Sequence, residues 1–266
     1  MICEFYWGGS SWVAELSGGV DLSIPLRGNG KENPTAWYVE PPSMEPVRGA
    51  GFVGSVAEGG AVNFRTISFN PHGHGTHTES LGHITKDIKS VDDIFRSGPA
   101  FFPCQVLSVH PHQMPNGDSV IDVDQLEELI GKSPVDALVV RTLPNDPDKA
   151  RCDWSNTNPP YFTTAFMKGV LSLGVKHLLV DLPSVDREED GGALAAHRTF
   201  WNVPADPRHG ATITEMIFVP EHATDGLYLL HLGVAPFDND ASSSRPVLFR
   251  LKERKAHPKN ASLPRS

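Results

Sequence analysis

A chain of 266 residues, 39% hydrophobic and 21% charged, has enough apolar content for a well-buried core, which excludes a disordered or low-complexity protein. A net charge of −9 argues against a general nucleic-acid surface, because phosphate binding needs a basic face. No apolar run reaches the ~18 residues of a membrane span, the first residues do not read as a secretory signal, and Cys3, Cys104 and Cys152 are too scattered for a disulfide framework; a cytoplasmic, reduced protein is expected.

In chain order, the segment from Arg27 to Gly60 is rich in Gly and Pro and reads as an irregular excursion, of the kind that often covers a site. "AVNFRTISF" (61–69) has the β-branched and aromatic content of a strand. "SVDDIFRSG" (90–98) predicts a short helix capped by Ser90, and "PCQVLSV" (103–109) a strand. "DVDQLEELIGK" (122–132) predicts a helix from Val123, Leu126, Leu129 and Ile130, and "VDALVVRT" (135–142) a buried strand. "TTAFMKGVLSLGV" (163–175) predicts a helix ending near Gly174. "KHLLVDLPSVD" (176–186) predicts a strand, and residues 211–221, 225–234 and 245–254 predict three more. The tail beyond Arg254 is polar. Alternating helices and strands in the middle and strand-rich ends imply one mixed α/β domain over residues 1–266.

"NPHGHGTHTESLGHI" (70–84) concentrates His72, His74, His77 and His83 around Glu79, with glycines between them. In an extended segment His77 and Glu79 point to the same face, and "SLG" can turn His83 back toward them. Imidazole and carboxylate suit Zn²⁺ or another divalent transition ion such as Mn²⁺, and an ion with open positions drives amide and ester hydrolysis. The competing reading is a histidine-rich surface loop. A local cluster needs distal ligands, for which His110, His112, His197, His209, Asp181, Asp186 and Glu215 are candidates. Without a G-x-S-x-G elbow, "GGSSW" (8–12) gives no serine nucleophile. Cys104 and Cys152, with no partner base, read as buried apolar residues, and Trp37 and Tyr38 as aromatic core or pocket wall.

"GTHTESLGH" (75–83) resembles the H-x-G-T-H-x-D-x-P-x-H signature of the metal-dependent cyclase family, which includes bacterial kynurenine formamidase and isatin hydrolase. "DLSIPL" (21–26), "VDLPSVD" (180–186), "AAHRTFW" (195–201), "ITEMIFVP" (213–220) and "SSSRPVLF" (242–249) resemble further family segments in the family order. The resemblance implies a compact mixed-sheet α/β domain of the swivelling β/β/α type. It implies a divalent metal, Zn or Mn, on His77, Glu79, His197 and Glu215, with Glu79 and His83 catalytic and His83 the acid/base. It also implies hydrolysis of a small-molecule amide or cyclic amide, arylformamidase-like and of the N-formylkynurenine type met in tryptophan catabolism, with no nucleic-acid or membrane partner, and a homodimer or homotetramer.

Three positions depart from the pattern: glycine stands at 73 for the first histidine, glutamate at 79 for aspartate, and leucine at 81 for proline. His72 and His74 flank the glycine. In an extended chain both would face away from His77, so a turn at Gly73 or Gly75 is expected to rotate one into the site, with His74 favoured. The alternative reading of these departures is a non-catalytic or altered-site member that binds without turning over.

Overall fold

The computed structural model describes residues 1–28, 32–96, 98–129 and 131–254; Ile130 and the polar tail from 255 onward lie outside the described residues. Seven strands close on themselves. The order is Ala241–Glu253, Gly226–Val234, Phe101–Val109, Ala137–Thr142, His177–Val180, Thr212–Glu215 and His77–Glu79, and the last pairs back onto Ala241–Glu253. The four strands from Phe101–Val109 to Thr212–Glu215 run parallel, and the remaining contacts are antiparallel.

Parallel neighbours require crossovers, and the helical segments supply them. Thr163 caps the Thr164–Ser172 helix by accepting from the Phe166 amide, and Gly174 follows its end at φ +77. Ala195–Phe200 bridges the last parallel pair. The predicted helix at 122–132 is instead a 3₁₀ segment, Val123–Leu129. Leu126 and Leu129, both buried, are three apart, a spacing that one face of a three-residue turn satisfies.

Ala137–Thr142 is buried at all six positions, as expected for a strand covered on both faces. Its alternate residues divide between two cores. Leu138 and Val140 pack outward with Phe166, Phe200 and Trp201 of the helices, while Val139 faces inward with Val106, Leu179 and Leu230. The result is a mixed α/β fold in which strands dominate, as the sequence implied.

Several expected strands are shorter than predicted. The strand expected at 61–69 is Arg65–Ser68, paired among the described residues with Ser43–Pro46 alone, in a small separate sheet. The strand expected at 211–221 ends at Glu215, because Met216 adopts φ +50, which an extended strand does not accommodate. An N-terminal hairpin, Ile2–Trp7 with Ser10–Glu15, adds to the edge of the long closing strand, and Gly8 and Gly9 at φ +60 and +84 form its turn. Among the described residues no helix is long and apolar enough to cross a membrane.

Candidate metal centre

His77–Glu79 is only three residues long, yet it closes the sheet, and all three residues are buried. Thr78 turns inward and bonds Thr214 Oγ1 at 2.8 Å. His77 and Glu79 turn outward, toward the helices. Glu215 lies directly opposite His77 in the antiparallel register, so their side chains share a face. Ser80 starts the 3₁₀ turn Leu81–Ile84 by accepting from the Gly82 amide, and this turn swings His83 back over the strand. Asp240, immediately before the closing strand, stands beside Glu79 because Ala241 pairs with Glu79.

His197 arrives from the Ala195–Phe200 helix. Asp186 fixes it three ways: its carboxylate accepts from the Ala196 amide at 2.6 Å, from the His197 amide at 3.1 Å, and from His197 Nδ1 at 2.6 Å. The ring stacks on Trp201, and Nε2 is left 3.0 Å from Glu79 Oε1 and 3.8 Å from Glu215 Oε1. Glu215 Oε1 in turn accepts from the Val185 amide.

Within this cluster, two buried atoms lack the bonds they need. His77 Nδ1 donates to the Gly75 carbonyl at 3.0 Å, so Nε2 carries a lone pair; it makes no hydrogen bond and faces Glu215 Oε2 at 3.4 Å. Glu79 Oε2 is likewise buried without an aligned donor, 3.1 Å from His72 Nδ1 and 3.8 Å from His83 Nε2. Lone pairs facing a carboxylate out of water are costly unless a cation lies between them. Donor atoms converge in three overlapping sets, His72–His77–Glu79, Glu79–His83–His197 and His72–His83–Asp240, each within 4.8 Å. Nitrogen and carboxylate donors in this arrangement suit a divalent metal ion.

The same field governs protonation. Burial pushes the His72 and His197 pKa values down, but Asp240 and Glu79 around the first, and Asp186, Glu79 and Glu215 around the second, carry both up to about 10. Burial would raise the Glu79 pKa, yet His83 and His197 hold it well below the usual carboxylate range. The centre thus collects positive charge, and a metal ion would compete with the protons for it.

Of the residues singled out in the sequence, His77, Glu79, His83, His197 and Glu215 meet here, with Asp186 behind His197. His74 does not: its Nδ1 accepts from the Asn70 amide at 2.8 Å, and it belongs to none of the three donor sets. His72 stands in the cluster instead. His110, His112 and His209 are exposed elsewhere, and His112 pairs with Asp124. Asp181 is buried against Lys149 and Thr142. Asp240 was not singled out; the hint was an acid directly ahead of the "ASSSRP" strand start.

His72, His83, His197 and Glu215 line a cleft of about 310 Å³ whose walls include Trp37, Val39, Arg187 and Leu194. Trp37 and Tyr38 sit at φ +63 and +57, a left-handed conformation costly for large side chains. Ser155 Oγ accepts from the Tyr38 amide and Glu188 from the Tyr38 hydroxyl, which hold this wall in place.

A closed mixed sheet with a histidine–carboxylate centre at its seam, beside an open cleft, defines the class. Residues 20–187 match the family described as "Putative cyclase", and the chain belongs to that family. Kynurenine formamidase of Bacillus cereus is 28% identical over 234 residues, covering 86% of this chain and 96% of the relative; that of Bacillus anthracis has the same identity and coverage. Among solved structures, isatin hydrolase A from Labrenzia aggregata superposes with a TM-score of 0.61 at 16% identity, covering 87% of this chain and 93% of that one. A predicted metal-dependent hydrolase from Bacillus stearothermophilus gives 0.59 at 14%, covering 87% and 98%. At these identities the structural likeness speaks for the fold.

Proposed function

We propose that this chain is a metal-dependent amide hydrolase acting on N-formyl aryl amides or cyclic aryl amides, N-formylkynurenine being the representative substrate. The observation that carries the reading is the pair of orphaned buried atoms, His77 Nε2 and Glu79 Oε2, directly behind the His72, His83, His197 and Glu215 side chains that line a cleft with Trp37 in its wall. Similarity to kynurenine formamidases along most of the chain supports the substrate class. His77, Glu79, His197 and Glu215 would hold Zn²⁺ or Mn²⁺. When bound, the ion supplies a Lewis acid and lowers the pKa of water at its open positions toward 7.

The chain's own groups supply the rest. His83, a third exposed to the cleft, has its Nδ1 3.4 Å from Asp240 Oδ2, which holds the ring with Nε2 toward Glu79. In this reading Nε2 takes a proton from the attacking water and returns it to the leaving nitrogen, so that amide and water become carboxylic acid and amine. Asp186 fixes His197 so that Nε2 faces the donors. Trp37 offers a flat apolar wall for the aryl ring. The same family reading carries a homodimer or homotetramer.

The test is formate or carboxylate release from N-formylkynurenine, simple N-formylanilines and isatin, using protein reconstituted with Zn²⁺ or Mn²⁺. Turnover of at least one aryl amide that stops on chelation is expected. A protein holding stoichiometric metal but inert across the panel would favour the non-catalytic alternative.

A further inference from the structure

Glycine at position 73 leaves the centre without a side chain where the family signature has a histidine, and the local backbone shows what has taken its place. A side chain at 73 would be crowded: a Cβ there would lie 2.6 Å from Val39 Cγ2, which would have to shift, and 3.2 Å from the Ala36 carbonyl. The segment around it is a turn built on Asn70. The Asn70 side-chain oxygen accepts from the His72 amide at 2.9 Å and from the Gly73 amide at 3.1 Å, and its carbonyl accepts from the His74 amide at 3.1 Å. In an extended strand His72 and His74 would share one face. The turn separates them. The Asn70 amide occupies His74 Nδ1, and that ring lines a separate recess with Pro25, Thr76 and Arg245.

His72 goes the other way. Its Nε2–H donates to Asp240 Oδ2 at 2.9 Å, which turns Nδ1 onto Glu79 Oε2, 3.1 Å away, where a proton lies between them in the metal-free protein and a metal ion would replace it. His72 thus stands beside the two orphaned atoms, and one donor from each of His72, His77 and Glu79 falls within 4.8 Å of the others. A nitrogen lone pair aimed at a carboxylate oxygen is repulsive unless a cation or a proton lies between them, and the same holds for His77 against Glu215.

We infer that His72, one residue before the glycine, is the missing metal ligand, that it binds through Nδ1, and that Asp240 is the positioning residue that fixes this tautomer. The inference rests on the reading of the cluster as a metal centre. It makes the centre a register-shifted one, with the ligand carried by the Asn70 turn one residue before the signature position. It also binds ligation to acid/base chemistry, because Asp240 touches both His72 and His83.

The experiment measures Zn²⁺ affinity of the full chain by competition with a chromogenic chelator, and the visible spectrum of the Co²⁺ form, for His72→Ala, His74→Ala, Asp240→Asn and, as reference, His77→Ala. His72→Ala should weaken Zn²⁺ by more than the ~10–100-fold that loss of an outer-sphere partner costs, and Asp240→Asn by about that range. His74→Ala should bind like the parent with an unchanged Co²⁺ spectrum, and His72→Ala should change that spectrum. Parent-like binding by His72→Ala alongside loss in His77→Ala overturns this assignment and leaves the metal centre standing. A parent chain that binds neither ion overturns both. If His72→Ala fails to fold, Asp240→Asn decides, and unchanged affinity there rejects the assignment.

Discussion

Asp186→Asn isolates the device that delivers His197 to the centre. The carboxylate accepts three hydrogen bonds, from the Ala196 amide, the His197 amide and His197 Nδ1, at 2.6, 3.1 and 2.6 Å, and it is 6% exposed. A carboxamide of the same shape keeps its oxygen for the Ala196 amide and turns an NH₂ toward the His197 amide and ring nitrogen, both of which were donating to the other oxygen. Losing two bonds to a charged acceptor, at about 1.5–3 kcal/mol each, costs about 3–6 kcal/mol. At the ~2–4 °C per kcal/mol expected for a chain of this size, the midpoint should fall by about 6–24 °C. The ring, no longer held, should also cost ~10–100-fold in metal affinity, as outer-sphere partners do. Thermal unfolding of the chelator-treated protein measures the first effect and chelator competition the second. An Asp186→Asn protein with unchanged midpoint and unchanged affinity would refute the claim that this carboxylate fixes His197.

His83→Ala should keep its metal and lose ~10²–10⁴-fold in turnover, the range of a general acid/base; equal loss of metal would move His83 into the coordination sphere. Gly73→Ala should destabilise the protein by ~1–3 kcal/mol, the cost of overpacking, because Val39 must yield, and urea unfolding would read it. In metal-free protein, His72 and His197 titrate near 10 against an ordinary 6.5 when unfolded, so their stabilising contribution is full below 6.5 and fades as pH rises toward 10. Glu79 and Asp186, held below their ordinary 4.5 and 3.8, contribute above those values and lose their contribution on acidification. The midpoint of metal-free protein should therefore decline from pH 6.5 to 10, and Zn²⁺ should flatten that decline, because the ion replaces the protons.

Periodicity and composition made the parallel centre of the sheet legible: "VDALVVRT" and "KHLLV" are continuous apolar runs, and such runs belong to strands covered on both faces. The N-terminal hairpin has only "WGGS" (7–10) as its signal, where two glycines between alternating residues supply the positive φ a tight turn requires. Segment 122–132 shows the limit of apolar spacing: three-residue intervals fit both an α-helix and a 3₁₀ segment, and only packing selects between them.

At the centre, alternation placed His77 with Glu79, while bringing in His197 and Glu215 required the family pattern, since residues so distant in sequence meet only through the closed sheet. The choice between His72 and His74 was illegible for a physical reason. Alternation is a property of extended chain, and the Asn70 turn, whose hydrogen bonds become visible only in three dimensions, abolishes it. Asp240 escaped for a similar reason: its place beside Glu79 is set by strand register between residues 162 positions apart in the chain, Glu79 and Ala241.

The central claim is that the His77–Glu79–His197–Glu215 centre holds a divalent ion on which amide hydrolysis depends. Its most direct measurement follows formate release from N-formylkynurenine by one preparation of the protein, first stripped by chelator and then titrated with Zn²⁺ or Mn²⁺, with bound metal determined at each point. Activity should rise from zero in proportion to bound metal and remain absent in His77→Ala. Hydrolysis by the stripped protein at the full rate, or a fully loaded protein with no hydrolysis, would contradict it.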